Sequence, residues 1–409
     1  MAFQTGLTGL NIAARSLDVI GNNVANSTVV GFKQSKAQFA DVYGGASSTA
    51  NRSGIGAKVA AVAQQFAQGN ITPTANPLDL AISGRGFFRL SDNGAIVYSR
   101  NGQFSLDNAG YIVTTEGYRL TGYPIDGEGN IVNAAPETLR FNTSDLPPVQ
   151  TSRFEAKLNL DAEQDVKTAV FDPDNVNTYN YSTSATVFDS LGTSQIMTIY
   201  YVKRNVGTWD MYATARAADT VSAVNLGNGA GAPRSLSFNS SGQLLTTMPL
   251  TASVSVTTGA TNPMVFTVDL TGTTQYDNLS GVNTLYQNGA TSGRLTGFSV
   301  AADGTIKGRY DNGQSRNLGQ VVLADFVNSQ GLGPLGGNVW QETVASGLPL
   351  VGIAGSGTLG ALQSGAVEDS NVELTAELVA MIVAQRAYQA NAQTIKTQDQ
   401  VLQTLVNLR

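Results

Sequence analysis

From Leu374 onward, apolar residues recur in alternating steps of four and three: Leu374, Leu378, Met381, Tyr388, Ala392, Ile395, Leu402 and Val406, with Gln385 and Asp399 filling the two remaining seam positions. No glycine or proline occurs between Ser370 and Arg409, in a chain that has 44 of one and 12 of the other. The pattern predicts one long helix with an apolar seam. Ser370-Asn371-Val372-Glu373 has the spacing of a capping box, so the helix is expected to begin near Asn371 and to run about 54 to 60 Å. The first 24 residues repeat the pattern with Phe3, Leu7, Leu10, Ala14, Leu17, Gly21 and Val24, while Asn11, Asn22 and Asn23 lie off the stripe. Neither helix is stable alone. Each needs a partner: the other helix, copies of the same chain, or both. The plainer alternative is a helical pair lying across one globular core.

Between the ends the period changes to two. Short apolar runs at Leu78 to Ile82, Gly86 to Leu90, Ile96 to Ser99, Tyr111 to Thr114 and Tyr118 to Tyr123 are separated by Asp92-Asn93-Gly94, Asn101-Gly102 and Asp107-Asn108-Ala109-Gly110. These separators tolerate positive φ, which is hairpin chemistry. A second set of strands follows Pro147-Pro148, at Ala185 to Asp189, Gln195 to Lys203, Thr208 to Ala213, Ser235 to Phe238, Ala252 to Thr257 and Met264 to Leu270. The first texture then returns at Phe298 to Ala301, Thr305 to Tyr310 and Gln320 to Phe326. A domain inserted into another explains that return. The expected fold class is multidomain: an α-helical coiled-coil terminal domain plus two mainly antiparallel β domains, the outer inserted into the inner. The segments are 1–24 with 370–409 (helical), 25–72 with 360–369 (connector, extended or loosely folded), 73–145 with 287–359 (inner β) and 146–286 (outer β). Nesting of this kind brings both chain ends to one pole.

Composition narrows the chemistry. At 409 residues the chain exceeds one ordinary core, and charged residues make up only 13%. The net charge of −6, without a basic run, gives no electrostatic support for nucleic acid. Cysteine and histidine are absent, which removes thiolate nucleophiles, His-dependent triads and zinc sites. No cofactor, metal or catalytic residue is expected. The amphipathic start does not resemble a cleavable signal, and no apolar run of eighteen exists to insert in a membrane. Gly331 to Gly336 and Gly355 to Gly360 satisfy the letters of a dinucleotide fingerprint without its strand and helix, and read as loops. Asp126, Glu128, Asn130 and Glu137 mimic a calcium loop, but Ile131 stands where glycine is needed, so a hairpin turn is the better reading. The pair Asp172 and Asp174 beside Pro173 reads as a solvated turn ahead of an acid/base site.

Asn22-Asn23-Val24-Ala25-Asn26 and Gly31-Phe32-Lys33 resemble the N-terminal signature of the bacterial flagellar rod and hook family. Glu377-Leu378-Val379, Met381 to Tyr388 with Gln385-Arg386, and Asn391 to Thr397 resemble its C-terminal signature. Gly86-Phe87-Phe88, Tyr98 to Phe104, Leu120 to Pro124 and Asn338-Val339-Trp340 are similar to the inner β domain of its hook members. The resemblance implies a non-enzymatic subunit that polymerises into the bent tube transmitting motor torque from the basal-body rod to the filament. It further implies partners among copies of itself and the rod, hook-cap and hook-filament junction proteins. Export through the flagellar type III apparatus, without a cleaved signal, would place it outside the cell. The resemblance also implies a short Phe-x-x-x-apolar export element, and Phe39 to Tyr43 is its candidate here, Tyr43 being only partly apolar. The outer insertion favours hook over distal rod, the nearer alternative. The more distant one is a secreted β-rich carbohydrate-binding or carbohydrate-active protein on a helical stalk.

Overall fold

A computed structural model describes residues 2–43, 54–127, 129–141, 144–217 and 220–407. Two helices bracket a mostly β chain: α1, Ala2–Ala25, and α2, Leu374–Asn407. α2 starts later than the capping-box spacing predicts. The Ser370 hydroxyl accepts only from Val372 N at 3.3 Å, and the first helical bond runs from Glu377 N to Glu373 O. The reason is Asn371, whose amide is committed elsewhere: it accepts from Gln34 N at 2.8 Å and donates to the carbonyls of Gln65 and Ala67.

The segment read as an extended connector is extended and also paired. β1, Ser35–Tyr43, and β2, Gly54–Gln64, form an antiparallel ribbon from Ser35 opposite Gln64 to Tyr43 opposite Gly54, with irregularities at Gln38/Phe39 and Val42/Tyr43. A two-stranded ribbon is marginal alone; α1 supports this one. Gly56 permits the approach, since a Cβ there would lie 2.0 Å from the Thr8 hydroxyl oxygen. The small-residue run from Gly44 lies outside the described residues as far as Ser53.

The chain divides into two compact units. The first holds residues up to 143, 297–309 and 315–409. Its largest sheet is built on Ser315–Asp325, which pairs with Arg119–Tyr123, Phe87–Asp92 and Leu350–Ile353. An aromatic core of Phe87, Tyr98, Phe326 and Trp340, with Phe66 packed against it, closes one face. The turn at Asn93-Gly94 takes the positive φ values of 47° and 105° expected of its sequence. Gly333–Gly336, read as loop, is a short strand paired with Val339–Gln341, whereas Gly355 to Gly360 is a turn.

The second unit holds 144–296 and 310–314. A four-stranded sheet (Leu250–Val254, Met264–Asp269, Arg153–Asn159, Gly281–Gln287) and a five-stranded one, led by Tyr181–Phe188, Ser194–Asn205 and Thr208–Ala217, share one core. Phe154, Leu158, Trp209, Met211 and Phe266 sit in it, all buried. Alternation along Ser194–Asn205 puts Gln195, Met197, Ile199 and Tyr201 inward, as period two requires.

Candidate assembly site: the helical pair and its anchor

α1 and α2 pack on each other, but α1 does not turn its apolar stripe to the contact. The enclosed positions of α1 are Gly6, Ala13, Ile20 and Asn23, one residue before the predicted Leu7, Ala14, Gly21 and Val24, about 100° round the helix. Small residues make this possible. A Cβ on Gly9 would meet the Asn391 side chain at 2.5 Å, and one on Gly6 would meet Ile395 at 3.1 Å. Ile395 is thus a stripe residue that does face α1, and Ala384, about three turns earlier on α2, is buried as well.

Most of the other stripe residues stay open. Phe3 is 49% exposed and Leu7 44%, while on α2 Leu374, Leu378, Tyr388, Leu402 and Val406 are all exposed, Val406 at 74%. Met381, Leu10, Leu17 and Val24 are partly covered. A second row on α2, comprising Val379, Ile382 and Val383, is exposed as well. Gln385 and Arg386 face outward, and Asp399 accepts a hydrogen bond from Gln403. Between the helices lies a groove of about 510 Å³ lined by Ile12, Ala13, Ile20, Ala380, Val383 and, from the ribbon, Phe39. Tyr43 closes the described end of β1, and its side chain lies outside the described ones.

The N-terminal signature residues form a joint. Asn23, 1% exposed, donates its amide to Ser35 O at 2.8 Å and accepts from Ser35 N at 2.9 Å, copying a ladder pair between a helix end and a strand start. Asn26 donates back to Asn22 O and Oδ1, closing the last turn. Gly31 has a φ of +71°, and a Cβ there would strike the Asn101 backbone at 2.6 Å. Phe32 is buried.

Lys33 is the centre of this joint. Its Nζ lies 2.7 Å from Glu368 Oε1 and donates to Ala67 O at 2.8 Å. Arg100 takes the other carboxylate oxygen at 3.1 Å, donates to Gly84 O, and places its guanidinium 5.4 Å from the Phe87 ring centre. Gly69 N also donates to Glu368 Oε1, and Gly31 N to Glu368 O. Burial pulls the Lys33 ammonium below its ordinary value, opposed by the charge and hydrogen bond of Glu368. Arg100 is lowered by burial too, opposed by Glu368 and Asp325. Nearby, Gln34 donates to Glu377 on α2. Sequence reasoning picked out Lys33 but missed Glu368 as its partner, and Asn371 and Glu377 as the partners of the neighbouring Gln34. Lys33 and Glu368 are separated by 335 residues, so no local signal links them.

Groups that imitate chemistry resolve into turns. Asp172 accepts from Asp174 N and its carbonyl from Asn175 N and the Thr178 hydroxyl. Asp126 accepts from Asn130 N and side chain, and Ile125 bridges to Ile131; Glu128 lies outside the described residues. Among the described residues, no cluster of three or more acidic side chains could hold a metal. No described helix is long and apolar enough to cross a membrane.

Comparison with known proteins matches four family models: "Flagella basal body rod protein" over 3–33, "Flagellar hook protein FlgE/F/G D1 domain" over 81–144, "Flagellar basal body protein FlaE D2 domain" over 159–290, and "Flagellar basal body rod FlgEFG protein C-terminal" over 363–408. The chain is 42% identical over 419 residues to the flagellar hook protein FlgE of Escherichia coli K12, covering 100% of both. It is 30% identical over 417 residues to that of Rhizobium meliloti, covering 99% of this chain and 98% of the relative. The crystal structure of Helicobacter pylori flagellar hook protein FlgE2 shares the fold with a TM-score of 0.52 at 14% identity, over 73% of this chain and 99% of that one.

Proposed function

The chain belongs to the flagellar hook protein family and acts as a structural hook subunit, and from that premise we propose how its parts divide the work. The apolar rows of α1 and α2 are covered by neighbouring copies, in coiled-coil fashion, to make the inner wall of the tube. Unit 2 is the outer domain, inserted between two halves of an inner β domain. The stiff inner packing resists twist, while weakly charged outer surfaces exchange wet contacts as a row passes from the inside to the outside of the bend. The rod, cap and junction proteins contact the two ends of the tube. Delivery through the type III export apparatus places the polymer outside the cell, and Phe39 to Tyr43 is the segment read there.

The observation that carries this reading is the exposure of apolar rows on both terminal helices, far beyond scattered single residues. At 25 cal/mol per Å², covering one such side chain is worth roughly 1.5–3 kcal/mol. Negative-stain microscopy of concentrated full-length protein should show curved tubes of uniform diameter. Removing 370–409 should leave only particles with their β circular dichroism intact. Normal tubes from the truncated chain would overturn the assignment of the helices to the wall.

A further inference from the structure

Two chain crossings join the terminal helices to the β part of unit 1, and the buried charges sit where they meet. Lys33 lies between α1 and β1, Glu368 ends the strand Ala366–Glu368 that leads to α2, and Arg100 follows the strand Ala95–Ser99 of the large sheet. Lys33 and Glu368 side chains are 0% exposed and Arg100 3%. We infer that the Lys33–Glu368–Arg100 cluster is a positioning device that fixes the direction in which the helices and ribbon leave the β part, and thereby the geometry of the polymer.

Energetics favour this over a stabilising role. Ions taken wholly out of water lose their hydration, and replacing such a cluster by apolar side chains is commonly neutral or stabilising. Cohesion is available next door without charge: Phe66 meets Phe87 at 5.4 Å and Trp340 at 5.5 Å between ring centres. What charges add is direction. Each Glu368 oxygen is held by a different cation, and Lys33, Arg100 and Glu368 each anchor a further backbone group, at Ala67, Gly84 and Gly69. Apolar contacts tolerate sliding that this pattern does not. The leverage is large, because α2 has 34 residues, about 51 Å, so a tilt of about 5° at its base moves the far end by about 4 Å, roughly three-quarters of a helical turn. The tube-level consequence rests on the hook reading; the angle itself does not.

The chain has no cysteine, so two nitroxide labels can be placed cleanly through Lys58→Cys on the ribbon and Glu116→Cys on an exposed turn of the β part. Pulsed electron resonance on the full-length subunit should give one narrow distance distribution. With Lys33→Met, Arg100→Met and Glu368→Met together, cooperative melting should persist within a few degrees, the distribution should at least double in width, and assembled tubes should lose their uniform diameter. Should the triple variant not fold, Lys33→Met with Glu368→Gln, which leaves the same single net positive charge, is read in the same way. An unchanged width in a folded variant overturns the inference, as does loss of cooperative folding in both variants. Broadened distances with unaltered tubes would overturn only the link to polymer geometry.

Discussion

In unit 2, Phe154, Leu158, Tyr201, Trp209 and Val268 are all sealed from solvent by two sheets of the same chain. In α2, Leu378, Val379, Ile382, Val383 and Leu402 stand in water, although the helix already has a partner in α1. The difference lies in which residues do the pairing. Unit 2 spends its large side chains on itself. The helices meet through Gly6, Gly9 and Ala13 with Ile20 and Ile395, and keep most of their large side chains on the outside. A fold completed within one chain and a fold that needs copies are thus written with the same amino acids, separated by about 100° of helix rotation.

Trp209→Ala attacks the closed side of this contrast. Removing a fully enclosed indole is expected to cost about 3–5 kcal/mol, seen as an earlier unfolding transition of unit 2 in calorimetry with helical dichroism retained. An unshifted transition would mean that the core is not held as it is drawn. Leu378→Gln addresses the open side. Both residues favour helix, so the subunit should change by no more than about 0.5 kcal/mol, while tube yield by sedimentation falls tenfold or more. A subunit loss of 2 kcal/mol or more would show that Leu378 is covered within its own chain.

The smallest effect is on pH. Burial raises the phenols of Tyr201 and Tyr98, the latter also donating to Glu342 at 3.0 Å. Their contribution is fully present below the ordinary value of 10.0 and is lost as pH climbs from there through the raised folded values. Lys33 acts in the opposite sense, since its folded value is lowered: its cost is greatest at lower pH and eases as pH rises towards 10.5. With two phenols against one ammonium, urea melts should show stability declining above about pH 10. Tyr201→Phe should make that decline shallower, and an unchanged slope would remove Tyr201 from the account.

Both helices, the hairpin turns and most strands of each unit were legible in the sequence because their signals are local: period, glycine, proline and asparagine. The phase of the helix contact was not. A four-three stripe says which side chains must be covered, not by what, and Gly6, Gly9 and Ala13 carry no apolar signal although they form the contact. The ribbon was hidden for a similar reason, since an alanine-rich β2 does not alternate in hydropathy. The start of α2 was misplaced because Ser370 and Glu373 have the right spacing, while Asn371 is claimed by residues more than 300 positions away. The ion cluster was beyond reach for the same cause. Charge type is visible in a sequence, and burial of two cations around one carboxylate is not.

The enclosure of Lys33 also decides how the chain would be trimmed. A trypsin-like protease cuts after lysine or arginine that it can reach, and between Arg15 and Lys36 the chain offers only Lys33, whose side chain has no exposed surface. The whole joint from Asn22 to Gln34 would therefore survive or disappear as one piece. A digest ladder should step from Arg15 to Lys36, and fragments starting at Gln34 would appear only once the joint has come apart.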